Sequence, residues 1–346
     1  VIEDGVDRCT VMDMALEMSE FRARRREHLD FNRTSPDRRR GIGLATFFHG
    51  AGFTGSGEVR LDSVVHVAGL SDGSVEVRAS NVEMGQGAMT VFTELAAHRL
   101  ECDPSAVKIA PPDTHRVPDS GPTVASRTSM IVGHLVERAC DELARQLGEA
   151  GFVGSEGITQ NISDWHAANP GAELLGSARY RKPPGIEWDE DSYQGDAYGT
   201  YGWGAYVADI EVDLRTFVPT VRDFVAVQEI GQVLNETLAR GQIQGGVVQA
   251  LGWALTEECK WEDGAMANAQ LTNYIVPTTR DVPPIRVGFM EVPYPYGAKG
   301  AKGIGELPFD GVAPAVANAL AEALGCDPRR IPLTPEEILE LVEEGP

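Results

Sequence analysis

The sequence predicts an α+β protein of two lobes, built from mixed sheets with flanking helices, and three observations predict it. Stretches at 64–68, 74–82, 204–212 and 218–227 alternate apolar and polar residues with the period of two expected of half-buried strands. Runs with helical spacing follow four separate loops rich in glycine or hydroxyl residues. Residues 155–199 are poor in aliphatic side chains and rich in Pro, Gly, Asp, Trp and Tyr, which reads as an irregular connection dividing the chain.

Taken in order, residues 1–40 form an N-terminal helical segment, with a helix over 9–29. The basic run Arg22-Ala23-Arg24-Arg25-Arg26 near its end reads as a solvated face whose cations suit the helix C-terminus. The first lobe, 41–154, opens with a glycine- and phenylalanine-rich stretch and continues as a hairpin turning at Ser71-Asp72-Gly73. The helix over 88–100 places Phe92, Leu95, Ala96 and Leu100 on one face. A second helix turns Leu135, Val136, Ala139, Leu143 and Leu147 inward. After the connection, the second lobe, 200–346, holds a strand pair, a helix over 247–258 and a helix over 312–324 closed by Gly325 as a C-cap.

Composition removes several classes of function. A net charge of −22 sets the chain against nucleic acid and anionic membrane surfaces. No apolar run reaches the ~18 residues of a membrane-spanning helix. Five cysteines lie far apart without a C-x-x-C pair, so no self-contained zinc or iron–sulfur site is expected. Their odd number fits a reducing compartment, and a cytoplasmic location is the expectation. The chain opens on Val1, so a missing or processed N-terminal piece is an open expectation. Gly69-Leu70-Ser71-Asp72-Gly73 matches a nucleophile elbow, but a strand follows it where the elbow needs a helix. P-loop, dinucleotide fingerprint and H-E-x-x-H patterns are absent, and His115 and His134 read as surface or satisfied core residues.

The chemistry concentrates in four loops. They are Glu83-Met84-Gly85-Gln86-Gly87, the hydroxyl-rich 118–129, Gly241-Gln242-Ile243-Gln244-Gly245-Gly246, and the glycine-dense 297–308 carrying Glu306. Helix N-termini expose unpaired N–H groups and a partial positive charge, so four such loops suggest backbone donors converging on an anionic, polar cofactor. Gln86 and Gln242 add amides that both donate and accept. Glu306, just upstream of a helix, suits a general base or an orienting acid, with Lys302 four residues before it.

These blocks, with Pro332-Leu333-Thr334-Pro335, resemble the molybdenum-binding subunit of the xanthine dehydrogenase/aldehyde oxidase family, over its C-terminal half and from Asp7 to about Leu341. The resemblance implies a two-lobed molybdopterin-binding domain. It places Met84, Gly85, Gln86, Gly87, Ala125, Ser126, Thr128, Gln242 and Gly303 at the cofactor, Glu306 as the catalytic glutamate, and Phe53 and Thr54 at the substrate. It further implies a molybdenum cofactor, as molybdopterin or molybdopterin cytosine dinucleotide, with the metal held through the pterin and not by protein side chains. The implied reaction hydroxylates an electron-poor carbon of an N-heteroaromatic or aldehyde with water-derived oxygen, Glu306 acting as base. Because the family's N-terminal half is absent, a second molybdenum-subunit polypeptide is the expected partner, as in split nicotinate dehydrogenase. Iron–sulfur (2Fe-2S) and FAD subunits are expected to carry electrons away. Asn235-Glu236 stands where the family often has Asn-Pro, and Leu307 where Pro often follows the glutamate. Two alternatives are a non-catalytic structural or cofactor-insertion partner, and a carboxylate-dependent hydrolase built on Glu306.

Overall fold

In a computed structural model describing residues 5–344, two four-stranded sheets organise the chain. The smaller sheet runs in the order Val107–Ile109, Val75–Arg78, Val64–Gly69, Leu174–Arg179. The helices Ala88–Arg99, Gly133–Glu149 and Ile158–Ala168 cover it, and Val65, Val67, Val77, Phe92, Leu95, Leu135, Leu143 and Ile162 fill the space between. The 69–73 turn is a hairpin, with Gly73 N–H on the Leu70 carbonyl at 2.9 Å and Leu70 N–H on the Ser74 carbonyl at 2.8 Å.

The larger sheet runs Arg38–Gly50, Tyr201–Asp213, Pro219–Glu229, Ile285–Met290, antiparallel except for the last pair. It is buried on both faces. Along Tyr201–Asp213, Trp203, Ala205 and Val207 face the N-terminal helix Arg8–Met18, while Tyr206, Ala208, Ile210 and Val212 face the helices Glu236–Leu255 and Val312–Leu324. Period-two alternation thus gives each face its own core. Val312–Leu324 ends on Gly325 in the left-handed conformation (φ 71°), as its position predicts.

The α+β class and the two-lobed plan stand, but the lobes interleave. The glycine- and phenylalanine-rich stretch expected to open the first lobe at residue 41 is instead part of the strand Arg38–Gly50, which belongs to the larger sheet. Its Gly43 lies under Val312–Leu324 so closely that a Cβ there would meet the Ala315 carbonyl at 2.2 Å. Within 155–199, expected to be irregular, Ile158–Ala168 is helical and Leu174–Arg179 is an edge strand of the smaller sheet; only the part beyond it is loop-rich. The N-terminal helix breaks at Glu20 (φ 52°) into Arg8–Met18 and Phe21–Thr34. Nor is its basic run solvated throughout: Arg24 meets Asp209 at 3.1 Å and Asp223 at 2.9 Å, carboxylates of the larger sheet.

Candidate active site

The four loops meet at the junction of the two sheets, around a cavity of about 440 Å³. Met84, Gln86, Ala125, Ser126, Thr128, Gln242, Gly303 and Glu306 all line it. Gly85 and Gly87 shape the first loop from behind, both at positive φ. Phe53 and Thr54 do not line the cavity. They sit on a turn beside it, with Phe53 N–H on Glu58 Oε1 at 3.2 Å and Thr54 Oγ1 on the Tyr198 hydroxyl at 2.7 Å. That turn touches the second loop through Gly52 N–H, which donates to the Ala125 carbonyl at 2.9 Å.

The first loop is closed on itself. Glu83 accepts from the N–H groups of Gly85 (2.8 Å), Gly87 (2.9 Å) and Met89 (3.0 Å), so its own carboxylate caps the helix Ala88–Arg99. Burial alone would raise the Glu83 pKa, but these backbone donors hold it below the usual carboxylate value. The Gln86 amide is spent likewise, accepting from Met84 N–H at 2.7 Å and donating to the Val82 carbonyl at 2.8 Å. In this structure the N-terminus and the amide are thus satisfied within the loop: a Glu-x-Gly-x-Gly turn has the look of an anion cradle, and it brings its own anion.

The second loop is held by an arginine that local pattern does not single out. Arg127 is fully buried and forks onto Glu58 (Nε–Oε1 2.9 Å, Nη2–Oε2 2.8 Å). It also donates to the Ser63 hydroxyl at 2.7 Å and the Ser120 carbonyl at 2.8 Å. This clamp carries Ala125 and Ser126, both in the left-handed region at φ 53° and 51°. A buried arginine is the exception among side chains, and its place inside a Ser/Thr/Gly run was the available signal.

The third block is no loop. Residues 241–246 lie within the helix Glu236–Leu255, whose N-cap Asn235 accepts from Leu238 N–H at 3.1 Å. Asn235 also donates to Glu94 Oε1 at 2.9 Å, joining this helix to Ala88–Arg99 of the first lobe. Gln242 faces the cavity from the second turn, and among the described residues its amide has no hydrogen-bond partner.

In the fourth loop Glu306 sits at the cavity rim with its side chain 54% exposed. Ser126 Oγ accepts the Glu306 N–H at 3.0 Å and donates to Oε2 at 2.9 Å, fixing backbone and carboxylate together. Gly303 permits that approach, since a Cβ there would lie 1.6 Å from the Ser126 carbonyl oxygen. Lys302 points away: its ammonium is buried against Glu229 Oε2 at 2.6 Å and the Tyr201 carbonyl at 3.0 Å. The side chain beside Glu306 is instead His49, whose Nε2 lies 3.4 Å from Oε2 while Nδ1 lies 2.8 Å from Asp310 Oδ2. His115 is exposed and His134 lies beside Glu137, both outside the cavity.

The donor set is one of neutral amides, hydroxyls and a single available carboxylate. No group of three His, Cys, Asp or Glu side chains that could hold a metal ion occurs among the described residues, so a metal in this cavity would arrive with its own organic ligand. The volume, the unpaired Gln242 amide and the glycine-permitted contact of two loops fit a polar heterocyclic cofactor of that kind. Fold and site thus define a cofactor-binding domain with one presented carboxylate.

Comparison with known proteins gives this class its family. The molybdopterin cofactor-binding domain family matches residues 14–283, and the chain belongs to it. Xanthine dehydrogenase 2 of Arabidopsis thaliana is 29% identical over 96% of this chain and 26% of its own length. The putative xanthine dehydrogenase molybdenum-binding subunit of Escherichia coli (strain K12) is 29% identical over 87% of this chain and 42% of its own. Among solved structures, quinoline 2-oxidoreductase from Pseudomonas putida superposes with a TM-score of 0.82 at 25% identity, covering 98% of this chain and 46% of that one. Aldehyde oxidoreductase from Desulfovibrio gigas shares the fold, with a TM-score of 0.84 at 24% identity over 99% of this chain and 36% of that one. The chain therefore spans between about a quarter and a half of the length of these relatives. Among the described residues no helix is long and apolar enough to cross a membrane.

Proposed function

We propose that this chain forms the catalytic-glutamate side of a molybdenum-dependent oxidoreductase that hydroxylates an electron-poor carbon of an N-heteroaromatic compound or an aldehyde, with water supplying the oxygen. A molybdenum cofactor, when bound, supplies the two-electron acceptor for that reaction. Gln242, Ser126, Thr128 and the backbone at Gly303 would hold it, and Glu306 takes the proton from the attacking oxygen. The observation that carries this reading is the placement of Glu306, held at its backbone and its carboxylate by Ser126 Oγ yet more than half exposed at the cavity rim. A turn residue of purely structural use would have no reason to present its carboxylate there.

The relatives carry more than half their length beyond what this chain matches. A second polypeptide closing the cleft, with iron–sulfur and flavin groups on further subunits, completes the proposed assembly. The test is to co-purify the chain with its natural partners, measure molybdenum and pterin, and assay purine, nicotinate and aldehyde substrates. Glu306→Gln is expected to retain molybdenum and lose turnover by about 10²–10⁴-fold, the range of a general base. Turnover equal to wild type in that variant overturns the assignment.

A further inference from the structure

The reaction proposed above releases protons, and a base can act again only after its own proton has left. Glu306 has a built exit. Its Oε2 accepts from Ser126 and faces His49 Nε2 at 3.4 Å, and the far side of the imidazole, Nδ1, is held by Asp310 at 2.8 Å. Three parts of the chain converge here: the end of the strand Arg38–Gly50, the N-cap of the short helix Leu307–Asp310, and the last residue of that helix. His49 and Asp310 are both partly exposed, with side chains 28% and 33% accessible, so a proton handed to the ring can pass on to water. On the paired strand the residue opposite His49 is Gly202, and the titratable groups facing the ring are the two carboxylates.

We propose that His49, oriented by Asp310, is the positioning and proton-exit residue for Glu306. The inference rests on the reading of Glu306 as the base. In the resting state neutral His49 carries its proton on Nδ1, donated to Asp310, and Nε2 has a lone pair toward Glu306. After Glu306 has taken a proton, its O–H bond breaks and an N–H bond forms at Nε2. Glu306 returns to carboxylate, and Asp310 stabilises the imidazolium, which then releases one proton to solvent. No electron moves in these steps. The Asp310 carboxylate beside Nδ1 favours the charged ring, against the burial that opposes it, and holds the His49 pKa above the ordinary histidine value.

Two measurements test this. In the assembled enzyme, His49→Asn should lower kcat about a hundredfold with little change in KM, and free imidazole in the buffer should restore most of the loss. Wild-type kcat in His49→Asn at every pH overturns the proposal, as does a loss that imidazole leaves untouched, because that is the signature of a structural role. On the full chain without cofactor, histidine NMR titration should find one ring with a raised pKa, absent in His49→Asn and lowered in both Asp310→Asn and Glu306→Gln. A His49 pKa unmoved by either substitution overturns the contact itself. Should Glu306→Gln be inactive while His49→Asn is unaffected, this proposal fails and the reading of Glu306 stands. Should Glu306→Gln be fully active, that reading fails first.

Discussion

Arg127 offers the sharpest test of how the cavity is built. Its guanidinium is fully buried, its partner Glu58 is nearly so, and three nitrogen–oxygen contacts between them lie at 2.8–3.1 Å. Replacing it as Arg127→Met removes the charge with little change of volume and strands Glu58 in the interior, beside the Tyr180 phenol. It also strips donors from the Ser120 and Pro122 carbonyls and the Ser63 hydroxyl. Breaking a buried pair on one side costs about 3–5 kcal/mol, because the remaining charge is uncompensated. Removing both partners should cost far less, so Glu58→Met added to Arg127→Met should recover at least about 2 kcal/mol. Arg127→Lys should fall between, since an ammonium cannot make the fork. Urea unfolding followed by tryptophan fluorescence reads all four proteins. A single-variant loss below about 1 kcal/mol, or a double variant no more stable than Arg127→Met, would refute the clamp.

Gly303→Ala should drive apart the Ser126 and Glu306 loops, because the new methyl meets backbone that cannot yield cheaply. The expected cost is about 1–3 kcal/mol with loss of cofactor retention, read by urea midpoint and molybdenum content. Lys302→Met should be destabilising by about 3–5 kcal/mol, since it leaves Glu229 alone in the interior, and the measurement is again urea unfolding. For His49 the folded-state pKa is raised above the unfolded value, so its ion pairing stabilises fully below about pH 6.5 and is lost as pH rises through the folded value. His49→Asn should therefore lose about 1 kcal/mol at acidic pH and nothing once the wild-type ring is neutral, which thermal melts across pH will show.

What was legible in the sequence was whatever local pattern encodes. The strand pair and the helix faces follow from periodicity, and Glu306, Ser126 and Gln242 stood out because glycine and hydroxyl residues surround them. The pairing of Arg38–Gly50 with Tyr201–Asp213 was not legible, since its partners lie more than 150 positions apart and its glycines gave no strand pattern. Those glycines are there for a helix: Gly43 makes room for Val312–Leu324. The helix Glu236–Leu255 was hidden in the same way. Glycine costs about 1 kcal/mol within a helix, yet Ala239, Ile243 and Val247 bury one face and Gly246 lets Pro308 press against the backbone. In each case tertiary packing sets the residue, and the local signal points elsewhere. His49 and Asp310 were invisible because only the fold brings residues 49, 306 and 310 together.

The corrected site changes what this chain can offer a ligand. The sequence suggested helix N-termini awaiting an anion and Lys302 near Glu306. In the structure the first N-terminus is filled by Glu83, Lys302 belongs to Glu229, and Arg127 belongs to Glu58. Arg127 and Lys302 are the only cationic side chains among the described residues lining the cavity, and both are neutralised in place. An anionic cofactor would therefore meet amide and hydroxyl donors here but little positive charge, within a chain whose net charge is −22. In the assembly proposed above, charge balance for a pterin phosphate would come largely from the second polypeptide. Retention of the cofactor by this chain alone should accordingly be weak, and retention by the assembled complex should fall as salt rises, the outcome that salt-dependent cofactor release would check. Salt-independent, tight retention by the isolated chain would show that the donors described above suffice.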